Sequence, residues 1–213
     1  MKNYLNIYYY IKTLYREGTV WEFKRILGSG QHTSRPNIKK HIIIKRLAIS
    51  TPAAIVCYLL KQGLSSDFVA DMMAALSIFI GLFTNVIFVV YNRFAAILPT
   101  TSTTNNAVNI ENTKLKNFIR QFTFVTGKNL LVATIIIFLL TLLILFDSFY
   151  SQDIADFKPV HISEWRSENI LKFLRAFVIV MTRFTILYLV IDFFILLLYS
   201  LGALFAFLKR EMI

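Results

Sequence analysis

The sequence predicts an all-α integral membrane protein: two helical hairpins, four transmembrane helices in all, behind an amphipathic helical N-terminal lead. Three observations predict it. Apolar residues gather in blocks long enough to cross a hydrocarbon core of about 30 Å, which takes roughly 20 helical residues. Of the 213 residues, 56% are hydrophobic and 16% charged; soluble domains carry roughly 25% charged residues, so polar surface is short here. The basic residues, which give a formal net charge of +11, cluster beside the apolar blocks, where they meet anionic headgroups and set topology. In a soluble chain the same excess would point to nucleic acid; here nucleic-acid contact is expected to be indirect if it occurs.

Residues 1–40 form a basic, aromatic-rich cytoplasmic lead, and residues 41–213 the four-helix transmembrane domain. Tyr4, Tyr8, Ile11 and Tyr15 share a helical face with Ile7 and Leu14, while Lys2, Asn6, Thr13 and Arg16 fall near the other. That spacing fits a helix lying at the membrane surface, where tyrosine rings favour the headgroup level, and Trp21 extends the interfacial set. A small cytoplasmic hairpin packing this face on itself fits the same pattern. Thr19 to Glu22 resembles a capping box that opens a second short helix, to be ended by Gly28 or Gly30. Asn3, Asn6, Lys12 and Arg16 interrupt the apolar start, so no cleavable signal is expected. Gly28 to Asn37, with Pro36, reads as a linker.

The first span is expected over about 42–60. Its uncharged part, Leu47–Leu60, is short, so Lys45, Arg46 and Lys61 must snorkel, and Pro52 lies inside. A turn at Gln62–Asp67 leads to the second span, about 68–91, closed by Asn92 and Arg93. Pro99 to Asn109 is a polar loop of low complexity. A helix from about Ile110 runs into the third span, about 130–146. Asp147 to Asn169 is a loop holding Asp147, Asp153, Asp156, Glu164 and Glu168. The last apolar block, Ile170 to Leu208, is too long for one perpendicular span. Its first part is expected to lie along or protrude from the outer surface, with the span proper at about 185–207.

Charge sets the expected topology. The lead through Arg46 holds ten lysines and arginines, the connection 92–129 holds Arg93, Lys114, Lys116, Arg120 and Lys128, and the tail holds Lys209 and Arg210. The other two connections have Lys61 beside Asp67, or bases mixed with acids. The positive-inside rule places both termini in the cytoplasm, and an even number of spans agrees by putting them on one side.

Catalytic signatures are missing. His32, His41 and His161 stand in separate segments, and no HExxH, P-loop or GxSxG pattern occurs. No enzyme activity, cofactor or metal is expected. Cys57, the single cysteine, reads as a small packed hydrophobe. Polar residues inside the spans carry more information. Asp192 falls close to mid-bilayer, where a carboxyl is costly unless protonated, paired or facing water. It either lines a pore, relays a proton or binds a partner helix, or it is a neutralised carboxyl bonded to Thr or Tyr in the bundle. Arg183, nine residues earlier, projects from the opposite face and is expected to snorkel outward. Asp71 is an interfacial charge or a partner for Arg183 from another helix. Ser77, Gly81 and Thr84 make a small-residue stripe, with Asn85 beside it, suited to close helix packing or oligomerisation.

The run from Leu76 through Thr84, Asn85 and Asn92 to Phe94, and the run Lys114-Leu-Lys-Asn-Phe-Ile-Arg-Gln-Phe-Thr-Phe, resemble the small bacterial multi-span membrane effectors of retron-like antiphage defence systems. The resemblance covers the second to the third span, rests on apolar texture and a few polar positions, and does not extend to the tyrosine-rich lead. It implies an inner-membrane effector, held inactive by a cytoplasmic regulatory partner and released on infection to disrupt the membrane or form a pore by self-association. A non-toxic accessory or assembly subunit of a larger membrane complex is the alternative expectation. A small transporter or channel comes third, since no pair of broken helices offers a substrate site.

Overall fold

A computed structural model of the chain describes residues 7–23, 38–60, 64–97, 106–150, 152 and 167–211. All regular structure among them is helical: α1 (Ile7–Phe23), α2 (Ile38–Leu59), α3 (Ser66–Ile97), α4 (Asn106–Leu145), α5 (Asp147–Tyr150) and α6 (Ser167–Glu211). Four helices carry segments long and apolar enough to cross a membrane: Lys40–Leu59, Ser66–Asn92, Leu115–Leu145 and Ile170–Phe205. The chain is therefore a four-span helical membrane protein. Helices serve because each backbone N–H and C=O finds its partner within the segment, leaving nothing to be satisfied by lipid.

Serine and threonine ride in these helices by the same economy. The hydroxyls of Ser50 and Thr51 donate to the Leu47 carbonyl, Ser77 to Met73, Thr141 to Ile137, Thr182 to Val178 and Thr185 to Met181. Each closes a bond to its own preceding turn and asks for no outside partner. At the start of α3, Ser65 is the N-cap: its Oγ accepts from the Phe68 amide at 3.3 Å, and Asp67 adds a favourable charge in the first turn. Pro52 is accommodated within α2.

Two expectations about the elements need correction. The capping box does not open a second helix. Thr19 lies inside α1, and its hydroxyl donates to the Tyr15 carbonyl at 2.8 Å instead of capping a new N-terminus. The last apolar block does not turn to lie along the surface, because α6 is one helix of 45 residues; a first part that protrudes ahead of the span fits it. Its first 35 residues hold no Gly or Pro, and Lys172, Arg175 and Arg183 are good helix formers, so charge alone gives the chain no reason to turn. Likewise α4 begins at Asn106, within the expected loop, and runs unbroken through the third apolar block. The glycines at 28 and 30, the linker, Tyr4, His32, His161, Asp153, Asp156 and Glu164 lie outside the described residues.

The chain forms two compact units, and each of the four long helices gives a segment to each. One unit contains Met1–Ile43, Ile78–Ala133 and Phe193–Ile213; the other contains Ile44–Ser77 and Thr134–Asp192. In the first, Trp21 packs with Val125, Leu196 and Phe124, and Phe79 meets Phe193 edge-on at 4.7 Å. In the second, α2 buries the narrow stripe Ile49, Ala53 and Cys57, and α6 buries Ile179 and Ile186. The four-residue spacing on α2 and the seven-residue spacing on α6 both keep one side of a helix inward.

Candidate functional site

Within the unit 44–77/134–192, Asp192 of α6 is paired with Lys45 of α2. The Lys45 Nζ lies 2.6 Å from Asp192 Oδ1, and the two side chains are 18% and 12% exposed. At that burial the pair is not a water-screened surface contact. A full ammonium and a full carboxylate within hydrogen-bond distance satisfy one another where neither is stable alone. Asp192 is thus answered by a cation rather than by Thr or Tyr, and Lys45 turns inward rather than snorkelling. The sequence did carry the signal for this partner. Leu47–Leu60 is too short to span, so the bilayer segment must start ahead of Lys45, as Lys40–Leu59 does.

Arg183, in the same unit, does not reach outward. It is 2% exposed, and its Nη2 donates to the carbonyls of Tyr150 and Gln152 at 2.7 and 2.9 Å. Those carbonyls lie at and just past the end of α5, where acceptors are left without helical donors. Arg175 places its guanidinium 4.8 Å from the Phe149 ring centroid. These arginines tie the short α5 to α6. Asp71 is exposed. The Cys57 thiol faces the Val180 carbonyl at 3.9 Å and is buried, a packed small side chain.

The unit 1–43/78–133/193–213 holds a second polar seam, centred on α4. Gln121, Thr126, Lys128 and Asn129 are all buried. Lys128 Nζ donates to Glu22 Oε2 of α1 at 2.8 Å, with side-chain exposures of 4% and 9%, and it lies 5.3 Å from the Tyr15 ring centroid. Gln121 donates its amide to the Trp21 carbonyl at 2.9 Å, in the last turn of α1, and also meets the Tyr199 hydroxyl. Thr126 donates to Ser200 at 3.4 Å. Asn129 is fully buried, and neither its amide nitrogen nor its oxygen has a partner among the described residues.

Gly18 makes this docking possible. A Cβ built there would stand 2.7 Å from Lys128 Cβ and 2.8 Å from the Phe124 carbonyl oxygen. Both are closer than carbon tolerates, and the second is rigid backbone, so only glycine lets α1 lie this tightly on α4. Gly127 does the reciprocal service, with Leu14 Cδ1 3.0 Å from where its Cβ would be.

The remaining expected residues fall outside both seams. Ser77, Gly81 and Asn85 are exposed and Thr84 half-buried, and among the described residues nothing lies within 4 Å of a Cβ at Gly81. Among the described residues, the stripe therefore makes no close helix contact at Gly81. Tyr8, Ile11 and Tyr15 of the lead are exposed, whereas Trp21 is 8% exposed and belongs to the interior. Sequence reasoning missed Lys45, Glu22, Gln121, Lys128 and Asn129 as buried polar groups. It read Lys128 as a cytoplasmic charge and Glu22 as part of a capping box, although each stands beside a glycine or tryptophan that marks close packing.

Among the described residues no three His, Cys, Asp or Glu side chains gather as metal ligands. No family model, no curated protein and no solved structure matches the chain. Its class is that of a multi-pass helical membrane protein with paired charges inside its spans.

Proposed function

We propose that this chain is an effector of the bacterial inner membrane, with both termini cytoplasmic, that arrests or kills the cell by opening or disrupting the bilayer when its regulator releases it. The observation that carries this reading is the Lys45–Asp192 pair inside two membrane-spanning segments. Ionisable groups at such depth are retained against a cost of a few kcal/mol and mark ion paths and moving elements. Closed, the pair is neutral to its surroundings; separated, both charges require water, and a wet path through the helices supplies it. The basic lead, the basic connection 92–129 and the Lys209–Arg210 tail support the orientation. The setting in antiphage defence rests on the sequence resemblance of the second and third spans.

The test is a membrane-potential dye during induced expression in a bacterium, with insertion verified for each variant. Wild type is expected to depolarise the cell, and Asp192→Leu to change that response by taking the carboxylate away from Lys45. Exchange of the two charges, Lys45→Asp with Asp192→Lys, is expected to restore the wild-type response. An unchanged potential with inserted wild-type protein would sink the effector reading. One observation favours a second reading, an accessory subunit of a larger complex. The open surroundings of Gly81 on an exposed face suit the close approach of a helix from another chain.

A further inference from the structure

We propose that the N-terminal half of α1 is an interfacial anchor, seated among the anionic headgroups of the leaflet that borders residues 121–128 of α4. Its depth follows from its contacts. α1 touches Gln121, Phe124, Gly127 and Lys128. These form the two turns immediately before Asn129–Phe146, a stretch without charge. Those 18 residues rise about 27 Å as a helix, close to the roughly 30 Å of a hydrocarbon core. The belt that α1 grips is therefore at the headgroup edge of that core.

Its orientation follows from the seat. Leu14, Gly18, Trp21 and Glu22 are committed to α4 and α6, which fixes the rotation of the helix. What remains outward is Ile7, Tyr8, Tyr9, Tyr10, Ile11 and Tyr15, exposed by between 43% and 72%, with Lys12 and Arg16 among them. Residues 7–12 are exposed on every side, so this half of the helix projects past its seat. Water is a poor home for so large an aromatic and apolar surface. The headgroup layer suits it: tyrosine buries its ring and keeps its hydroxyl wet, and basic residues meet lipid phosphate. Charge agrees. The first 46 residues hold ten basic side chains against two acids, Glu17 and Glu22, and Glu22 is already neutralised by Lys128. The inference does not depend on the effector reading.

The experiment uses the full chain with Cys57→Ala, carrying a fluorescent label at Tyr8→Cys or, separately, at Tyr10→Cys. Both positions are exposed, so the labels leave the packing alone. The protein is reconstituted in vesicles of phosphatidylglycerol and phosphatidylethanolamine, and in vesicles of phosphatidylcholine. Lipids spin-labelled near the headgroup are expected to quench both labels in the anionic vesicles. Aqueous iodide is expected to quench several-fold less than it does in detergent-unfolded protein. Gly18→Leu, which displaces the seat, is expected to raise iodide quenching toward the unfolded value. Full iodide quenching without lipid quenching would overturn the proposal and leave the tyrosine face to a protein partner. Equal lipid quenching in neutral and anionic vesicles would overturn its electrostatic part.

Discussion

α3 and α4 are alike in composition and opposite in use. Their candidate spans have mean hydropathies of 2.3 and 2.5, yet 11% of the first is buried within the chain against 39% of the second. In water the more apolar helix would go inside. In a bilayer, lipid tails are as apolar as leucine, so hydropathy gives no preference for the interior. Polar groups decide instead. α4 carries Gln121, Thr126, Lys128 and Asn129, all of them buried within the chain rather than turned to lipid. The polar group of Ser77 on α3 is already satisfied by its own helix at 2.8 Å, so its face can stay outward.

That contrast is most easily broken at Lys128. Removing it by Lys128→Met takes a buried cation away from the buried Glu22 carboxylate, which should cost about 3–5 kcal/mol. Adding Glu22→Gln should recover most of the loss, because a neutral pair needs no compensation. Thermal unfolding in detergent of the single and double variants measures both effects. A single-variant loss under about 1 kcal/mol, the range of exposed pairs, would mean that α4 is not held by its buried charge.

Asn129 sharpens the comparison from the other side. Its amide is fully buried and has no partner on either atom among the described residues. An unsatisfied buried polar group costs about 1–3 kcal/mol, so Asn129→Leu, with the same branching and number of side-chain heavy atoms, should raise the unfolding temperature. A lower unfolding temperature would show that the amide is answered by water or a bound ligand, and that this part of α4 is a site rather than a packing surface.

The number of spans was legible because it depends on block length, and Leu130–Phe146 or Phe68–Tyr91 cannot be read in another way. Helix continuity in α4 and the presence of charge at Asp192 were legible too. Which charges meet was not. Lys45 looked like the edge of a span because its neighbour Arg46 is basic as well, and pairing with Asp192 joins positions 147 apart in the chain. The docking of α1 was hidden for a similar reason. Gly18 differs from a loop glycine only in what stands opposite it, and Lys128 and Phe124 are remote in sequence. The tyrosine periodicity drew attention to the outward face of α1, while the inward face, Leu14, Gly18 and Trp21, is marked by only three residues. The small residues on α3 state that a close approach is possible, and among the described residues this chain makes none at Gly81.

Gly81 is where that possibility is tested, and where the smallest effect is expected. It shares its exposed face with Ser77 and Asn85, and a side chain added there meets nothing within 4 Å. Gly18 is its opposite, closed by backbone at 2.8 Å. In an isolated chain Gly81→Leu should therefore shift stability by no more than about 1 kcal/mol, the difference in helix propensity between the two residues. It should even gain slightly from the better helix propensity of leucine. If chemical crosslinking in the native membrane finds a complex that Gly81→Leu abolishes while the purified chain keeps its unfolding temperature, the open face is occupied by another helix. The low burial of α3 then reflects a missing neighbour rather than lipid, and the accessory-subunit reading gains over the effector. Unchanged crosslinking leaves α3 facing lipid, and the difference between the two helices belongs to this chain alone.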